Sequence, residues 1–239
     1  MPPAVALRGE NVVGNPATVP SRDAVLARYR RLREINKQHH DRVLDFVPRD
    51  TVFEHARRLG LAIGTTLVID DIEALAYAFD LAIYTAPAGR SRAIDRYARS
   101  AALESGSDEA LMLEAMCGAR FAIVRVERRH EAAGLIVNDV ALGTERWLVD
   151  EGLEISLPDR ALLATRLYRL DGFCMTAGAS VPLGSGLLNE AFGEVPHLLR
   201  KEPAEAINDR RFAAALYRVA LADGILERIM HKDAEAESD

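Results

Sequence analysis

The sequence predicts an α+β protein with an N-terminal helical region, a central small SH3-like β-barrel or bent antiparallel sheet, and C-terminal helices. In residues 21–118 apolar side chains recur at spacings of three and four, which is typical of amphipathic helices. In residues 119–183 short β-branched and aromatic runs alternate with glycines and prolines, which is typical of strands joined by turns. The helical spacing returns in residues 184–232. Because the predicted strands lie between two helical regions, we expect one compact unit.

The chain begins with residues 1–20, which we predict to be a flexible leader because prolines and glycines occur there without apolar periodicity. Ser21 is suited to cap a first helix, and Pro48 disfavours helical geometry in the residue before it. The first helix is therefore expected over 21–47. Its predicted apolar stripe is Val25, Tyr29, Leu32, Val43 and Phe46, with Asn36 and His39 on the same face.

Further helices of this region are predicted from capping residues and from the glycines and prolines that end them. The predicted starts are Asp50 or Thr51, Asp70, Ser91 and Ser107, and the predicted ends are Gly60, Pro87, Gly106 and Gly118. Residues 65–69 are expected to form a short extended piece. Asp70 and Glu73 have the spacing of a carboxylate capping box, which we favour over a magnesium site because no second acidic cluster accompanies them.

Five strands are predicted in the central region, over 121–127, 135–140, 146–150, 161–170 and 173–177. Between the last two, Asp171 and Gly172 are the residue pair that tight primed hairpin turns favour. Five short strands fit a closed barrel, because closure removes exposed strand edges. An open sheet covered by the helices is the alternative.

In the C-terminal region we predict a helix over 187–194, a break at Pro196 and a long helix over 208–231. The stripe of the long helix is Phe212, Leu216, Val219, Leu226 and Met230, with Asp209 in the first turn. Residues 233–239 are acidic and are predicted to be a frayed tail.

The composition limits the classes of function. The net charge of -6 argues against generic nucleic-acid binding, since phosphate contacts need Lys and Arg. Two cysteines, Cys117 and Cys174, are too few for a disulfide framework or a four-thiolate zinc site, and we expect buried free thiols. The chain has neither a secretory signal pattern nor an apolar run of membrane-spanning length, which predicts a cytoplasmic protein without membrane contact. No motif predicts a cofactor.

The candidate metal ligands are His39 and His55, which lie on successive predicted helices. His39 is followed directly by His40, and adjacent helical side chains point about 100° apart, so the two do not chelate one ion easily. A hydrogen-bonded core His39 is therefore preferred over a metal ligand. Together with Asn36, His39 could instead specify helix register or a dimer seam.

The candidate nucleic-acid contacts are Arg28, Arg31 and Lys37, which share parts of one solvent face of the first helix. A solvated charged face explains the same residues. In addition, the join from Gly60 to Asp70 is longer than the short turn of a helix-turn-helix unit.

One part of the central region resembles a known β-module. Its motifs are Leu162-Leu163-Ala164-Thr165-Arg166-Leu167, Leu170-Asp171-Gly172-Phe173, Met175-Thr176, and Asn138-Asp139 ahead of residues 146–150. They resemble a module of uncharacterised bacterial proteins, some of which carry a cysteine-rich SEC-C metal-binding tail. Because the C-terminal region here has no cysteine, the resemblance implies the module's fold and a bacterial origin, and no metal site or activity.

No motif assembles a reaction centre, so the favoured function is a non-enzymatic interaction or regulatory protein. We expect it to self-associate through the first or last helix, or to bind a protein partner. One alternative is a metal-dependent hydrolytic enzyme that uses the region of His39 and His55. The other is a nucleic-acid-associated factor that uses the Arg-rich first helix.

Overall fold

A computed structural model describes residues 20–64, 66–68, 74–184 and 186–224. The described residues form a mixed α+β structure with N-terminal helices, a five-stranded β-structure in the middle and C-terminal helices, as predicted. The predicted leader up to residue 19, the predicted capping box of Asp70 and Glu73, and the acidic tail lie outside the described residues.

The N-terminal region contains five helices among its described residues, together with a two-stranded hairpin. The elements are α1 (Arg22–Val43, continued by the 3-10 helix Leu44–Phe46), α2 (Arg49–Arg58), β1 (Ala62–Ile63), β2 (Thr66–Leu67), α3 (Leu75–Tyr84), α4 (Ala93–Ser100) and α5 (Asp108–Cys117). The side chains of Ser21 and Ser107 accept hydrogen bonds from backbone N–H groups of the first turns of α1 and α5, so both predicted caps are confirmed. The extended piece predicted near residue 66 is β2, which pairs with β1.

Three predicted helix boundaries in this region were wrong. Arg92, and not Ser91, precedes the first turn of α4. Pro48, and neither Asp50 nor Thr51, precedes the first turn of α2. Helix α4 stops at Ser100, well before Gly106, because the backbone of Ala101 is extended, with ψ of 118°, and cannot continue the helix.

The central region is a closed five-stranded barrel, which decides against the open sheet. Its strands are β3 (Arg120–Arg129), β4 (Leu135–Asp139), β5 (Thr144–Leu148), β6 (Leu162–Arg169) and β7 (Cys174–Pro182), in the order β3-β4-β5-β7-β6. All neighbours are antiparallel except β5 and β7, which pair in parallel through Leu148 and Cys174. A short helix that was not predicted, α6 (Glu151–Ser156), connects β5 to β6. The SH3-like assignment stays a prediction.

The predicted turn between β6 and β7 is a hairpin connection but not a primed turn. Arg169 pairs with Cys174, so four residues form the connection. Gly172 has a positive φ of 98°, whereas Asp171 does not, and primed turns require a positive φ at the first central residue. The glycine accepts the left-handed conformation, which costs an L-residue about 1–2 kcal/mol.

The C-terminal region closes one side of the barrel. It consists of α7 (Leu187–Glu194), the 3-10 helix Pro196–Arg200, α8 (Pro203–Ile207) and α9 (Arg210–Ala222). The bounds of α7 and the break at Pro196 confirm the prediction. Helix α9 begins later than predicted, because Asp209 is its N-cap and accepts from the Arg211 N–H. The stripe residues Leu226 and Met230 lie outside the described residues.

Apolar side chains form three clusters around the barrel wall. The inside of the barrel is filled by residues such as Val124 and Leu163. One outer face packs on α1, α4 and α5 through residues such as Tyr168, and the other packs on α2, α3, α7 and α9 through residues such as Phe121. Strand β6 is covered on both faces, so consecutive residues of this strand are buried instead of alternating with exposed ones.

Candidate functional site

A buried ion pair joins helix α3 to strand β6 of the barrel. Arg166 donates from Nε to Asp80 Oδ1 at 2.8 Å and from Nη2 to Asp80 Oδ2 at 2.9 Å. Only 5% of the Arg166 side chain and 4% of the Asp80 side chain are exposed. Burial lowers the pKa of the Arg166 guanidinium, but the Asp80 carboxylate raises it by more, so the pKa lies above its ordinary value and the charge persists.

Tyrosines extend this ion pair in two directions. The Tyr217 hydroxyl donates to Asp80 Oδ2 at 3.1 Å. The Arg166 guanidinium lies 4.8 Å from the centre of the Tyr84 ring, within the range of a cation–π interaction. The Tyr84 hydroxyl is 2.5 Å from that of Tyr168 and 2.9 Å from His40 Nε2. A polar chain therefore runs through the core from α9 to α1.

A cavity of about 650 Å³ lies beside this ion pair, and we call it the arginine cavity. Its walls are the loop after α3, the start of β3 and the start of α9. Asn208 positions the last of these walls by accepting a hydrogen bond from the Phe121 N–H at 3.1 Å. The charged residues that line it are Arg90, Arg92, Arg166, Arg210, Arg211, Asp95 and Asp209.

Two of the five arginines are already held by carboxylates beside them in the sequence. Arg92 donates to Asp95 at 2.6 and 2.8 Å and also to the carbonyl of Cys117. Arg211 donates to Asp209 at 2.8 and 2.9 Å. These pairs shape the wall of the cavity, and Asp209 also accepts a hydrogen bond from Lys201 Nζ at 3.0 Å.

Arg90 and Arg210 differ from the others, because neither side chain has an ion pair or a hydrogen bond in the described part of the chain. Both are exposed and both line the arginine cavity. Unpaired guanidinium groups in one concave surface form a site to which an anion can bind with two or more charge-assisted hydrogen bonds.

Arg166 adds a donor at the floor of the arginine cavity. Its Nη1 has no hydrogen-bond partner among the described residues. The fully enclosed side-chain atoms without a partner, within those residues, are Asn36 Nδ2 and His55 Nδ1. Nη1 of Arg166 is therefore accessible from the cavity that this side chain lines.

At neutral pH the carboxylates of the arginine cavity are poor proton acceptors, and its tyrosine is a poor proton donor. The hydrogen bond from the Arg211 side chain holds the pKa of Asp209 well below its usual range, and that from Arg92 lowers the pKa of Asp95. Burial raises the pKa of Tyr84 well above its usual range. The described lining includes no His, Cys or Ser. The arginines of the described lining can bind an anion through charge-assisted hydrogen bonds.

Neither of the predicted metal candidates lines the arginine cavity, although His55 lies near enough to Arg210 for that charge to help burial lower its pKa. His39 is buried, with Nδ1 2.8 Å from the Tyr97 hydroxyl and Nε2 2.9 Å from the carbonyl of Glu109. Because a carbonyl only accepts, Nε2 carries the proton and Nδ1 accepts from Tyr97, so both ring nitrogens are occupied. His55 is buried on α2. No group of three or more His, Cys, Asp or Glu side chains that could hold a metal occurs among the residues described.

The predicted nucleic-acid contacts lie on α1, distant in sequence from the arginine cavity. Arg28 and Arg31 both pair with Asp108 at the start of α5, at 2.5 and 2.6 Å. Lys37 lies 3.8 Å from Glu34. The two arginines thus tie α1 to α5, and a nucleic-acid role for these residues stays a prediction.

The two cysteines are free thiols. Cys174 is buried and Cys117 is half-buried. Burial raises the pKa of both thiols, which makes them poor nucleophiles.

The histidine beside the tyrosine pair leads to a prediction on pH. Burial lowers the pKa of His40 to about 4, below the 6.5 of an ordinary histidine. The unfolded chain then binds more protons than the folded one between these values, so stability is lost as the pH falls from about 6.5 to about 4. We expect His40→Gln, which keeps an acceptor without titrating, to remove up to about 3 kcal/mol of this loss.

Urea unfolding of both proteins at a series of pH values measures this difference. His39 and His55, whose pKa values burial also lowers, are present in both proteins and cancel in the comparison. Parallel pH profiles of the two proteins would contradict the prediction.

Sequence reasoning missed the arginine cavity and the ion pair at its floor. A signal was present in the sequence. Asp80 is the only charged residue of the apolar helix α3, and Arg166 is the only charged residue among the first seven residues of β6. Single charges of opposite sign in two apolar segments indicate a buried pair. The unpaired Arg90 and Arg210 left no such signal, since the sequence is rich in arginine throughout.

Comparison with known proteins yields a match to a family described as a family of unknown function (DUF7986), over residues 23–229. No curated protein and no solved structure matches the chain. The kinship with bacterial proteins that carry a SEC-C tail stays a prediction. Among the described helices, none combines the length and the apolar character needed to cross a bilayer.

Proposed function

The chain belongs to this family of unknown function, and we propose that it is a non-enzymatic regulatory protein that binds a small anion in the arginine cavity. The observation that carries the proposal is the charge of that cavity. A protein of net charge -6 places five arginines and only two carboxylates around one cavity. Such a local excess of one sign in a concave surface attracts and orients ligands of the opposite sign.

The size and the chemistry of the arginine cavity support binding over catalysis. Its volume of about 650 Å³ lies within the range of small-molecule sites. Its carboxylates are engaged by arginines and their pKa values are lowered, so they are unsuited to accept protons. A site of this kind is suited to bind a ligand without converting it chemically.

The polar chain behind the cavity connects the proposed anion site to the opposite side of the core. Arg166 lies at the cavity floor, and its contacts with Asp80 and Tyr84 continue to Tyr168 and His40 on the opposite side of the core. We expect anion binding to shift these contacts and so to alter binding to a protein partner or to a second copy of the chain. The proposal places the protein in the cytoplasm of a bacterium. The apolar stripe of α1 is buried in the chain's own core, so self-association through α1 would use its polar face.

Charge reversal in the arginine cavity tests the proposal. We expect a saturable rise in melting temperature when sodium sulfate, phosphate or succinate replaces sodium chloride at equal ionic strength, because a ligand at a hundred times its Kd stabilises the folded state by about 2.7 kcal/mol. The double variant Arg90→Glu, Arg210→Glu should lose this rise. Differential scanning fluorimetry measures it.

A matched control is available outside the cavity. Arg200 is exposed and has no ion pair within the described residues, as is true of Arg90 and Arg210. Arg200→Glu should leave the response to anions unchanged. If Arg200→Glu abolishes the rise as the double variant does, the response comes from net charge and the proposed site is wrong.

A further inference from the structure

The charge balance of the arginine cavity specifies the kind of anion that fits. Asp80 and Asp95 neutralise Arg166 and Arg92, and Asp209 is shared between Arg211 and Lys201, which lies outside the lining. Arg90 and Arg210 are left as two positive charges without partners in the described part of the chain. A ligand with two negative charges balances them, whereas a monoanion leaves one guanidinium unpaired.

The donors of the arginine cavity also favour many acceptors on one compact group. Two unpaired guanidinium groups offer five N–H donors each, and Nη1 of Arg166 adds two more at the floor. A phosphate monoester presents three terminal oxygens and a charge of about -1.5 to -2 at neutral pH. A single carboxylate presents two oxygens and one charge, so it satisfies fewer of these donors.

The rest of the lining offers little surface to a large apolar group. The aromatic rings at the cavity are Tyr84 and Phe121, and both are buried against Arg166, whose guanidinium lies 4.8 and 5.7 Å from their centres. The carboxylates of Asp95 and Asp209 would repel a long polyanion that crossed the whole opening. These features select a compact, polar ligand.

We propose that the ligand is a small polar phosphate monoester, whose phosphate group is bound by Arg90, Arg210 and Nη1 of Arg166. This inference rests on the proposed function, since it specifies the anion that the arginine cavity binds. Arg90 and Arg210 supply positive charge from two segments that are far apart in the sequence, the loop after α3 and the start of α9. Arg166 supplies a donor whose direction is fixed by its two hydrogen bonds to Asp80.

Isothermal titration calorimetry with three probes at equal ionic strength tests the ligand class. The probes are glycerol phosphate, succinate and acetate, which represent a phosphate dianion, a dicarboxylate and a monocarboxylate. We expect glycerol phosphate to bind at least about tenfold more tightly than either carboxylate, the factor that one charge-assisted hydrogen bond supplies. Arg90→Gln and Arg210→Gln should each weaken its binding by about tenfold or more, and Arg200→Gln should not.

The outcomes separate the ligand class from the proposed function. Succinate binding as tightly as glycerol phosphate, with the same dependence on Arg90 and Arg210, would overturn the phosphate assignment and leave an anion-binding protein. If none of the three probes binds, both proposals fail. If glycerol phosphate binds equally to Arg90→Gln, Arg210→Gln and the unaltered protein, the phosphate lies elsewhere and the site is wrong.

Discussion

Asp80→Ala is expected to lower the free energy of unfolding by about 3–5 kcal/mol, because it leaves the Arg166 guanidinium buried without its counter-charge. Only 5% of the Arg166 side chain is exposed, so water can replace the lost carboxylate only in small part. The Tyr217 hydroxyl loses its acceptor in the same change. Chemical denaturation followed by circular dichroism measures the effect.

A double variant separates the cost of the unpaired charge from the value of the pair. Replacing both partners, as Asp80→Leu with Arg166→Met, removes the buried charge and should recover much of the stability lost by Asp80→Ala. Glu145→Ala breaks the exposed ion pair with Arg128 and is the surface control, for which we expect little or no change. A loss in the double variant as large as in the single one would show that the pair itself stabilises the fold.

Gly134→Ala is expected to destabilise the barrel by about 2–5 kcal/mol, the sum of backbone strain and overpacking. Gly134 has a φ of 78°, which an L-residue adopts only at a cost. An added Cβ would meet the carbonyl oxygen of Leu148 at less than any normal contact distance and would lie 3.0 Å from the Cα of Val149. Both neighbours are backbone atoms where β5 leaves the barrel, so neither can move without disturbing the pairing of β4 with β5.

Gly143→Ala is the matched control, because it carries the strain without the crowding. Gly143 has a φ of 64° and lies between β4 and β5, and no atom lies within 4 Å of an added Cβ. We expect it to cost about 1–2 kcal/mol, the penalty of the left-handed conformation alone. Thermal or urea unfolding of both variants gives the difference, and equal losses would contradict the crowding at Gly134.

The order and the type of most elements were predictable from local patterns. Apolar spacing predicted α1, α5 and α7, since a helix buries one stripe. Capping serines also marked the starts of α1 and α5, because the first N–H groups of a helix need acceptors close in the sequence. Glycines and β-branched runs specified the five barrel strands in the same way. These signals act over a few residues, so the sequence contains them in readable form.

The boundaries that failed depended on single hydrogen bonds or on backbone angles. The extended backbone of Ala101 ended α4 early, and the positive φ at Gly172 without one at Asp171 changed the turn type. Both outcomes reflect a balance of about 1 kcal/mol between local alternatives, which composition does not reveal.

Barrel closure and the arginine cavity were decided only by tertiary structure. Closure depends on the parallel pairing of Leu148 with Cys174, residues far apart in the chain whose side chains carry no mark of that contact. Arg90 and Arg210 line one cavity because α3, β3 and α9 pack around the pair of Asp80 and Arg166. Patterns along a chain report which side chains avoid water, whereas the meeting of distant charges follows from how whole elements pack.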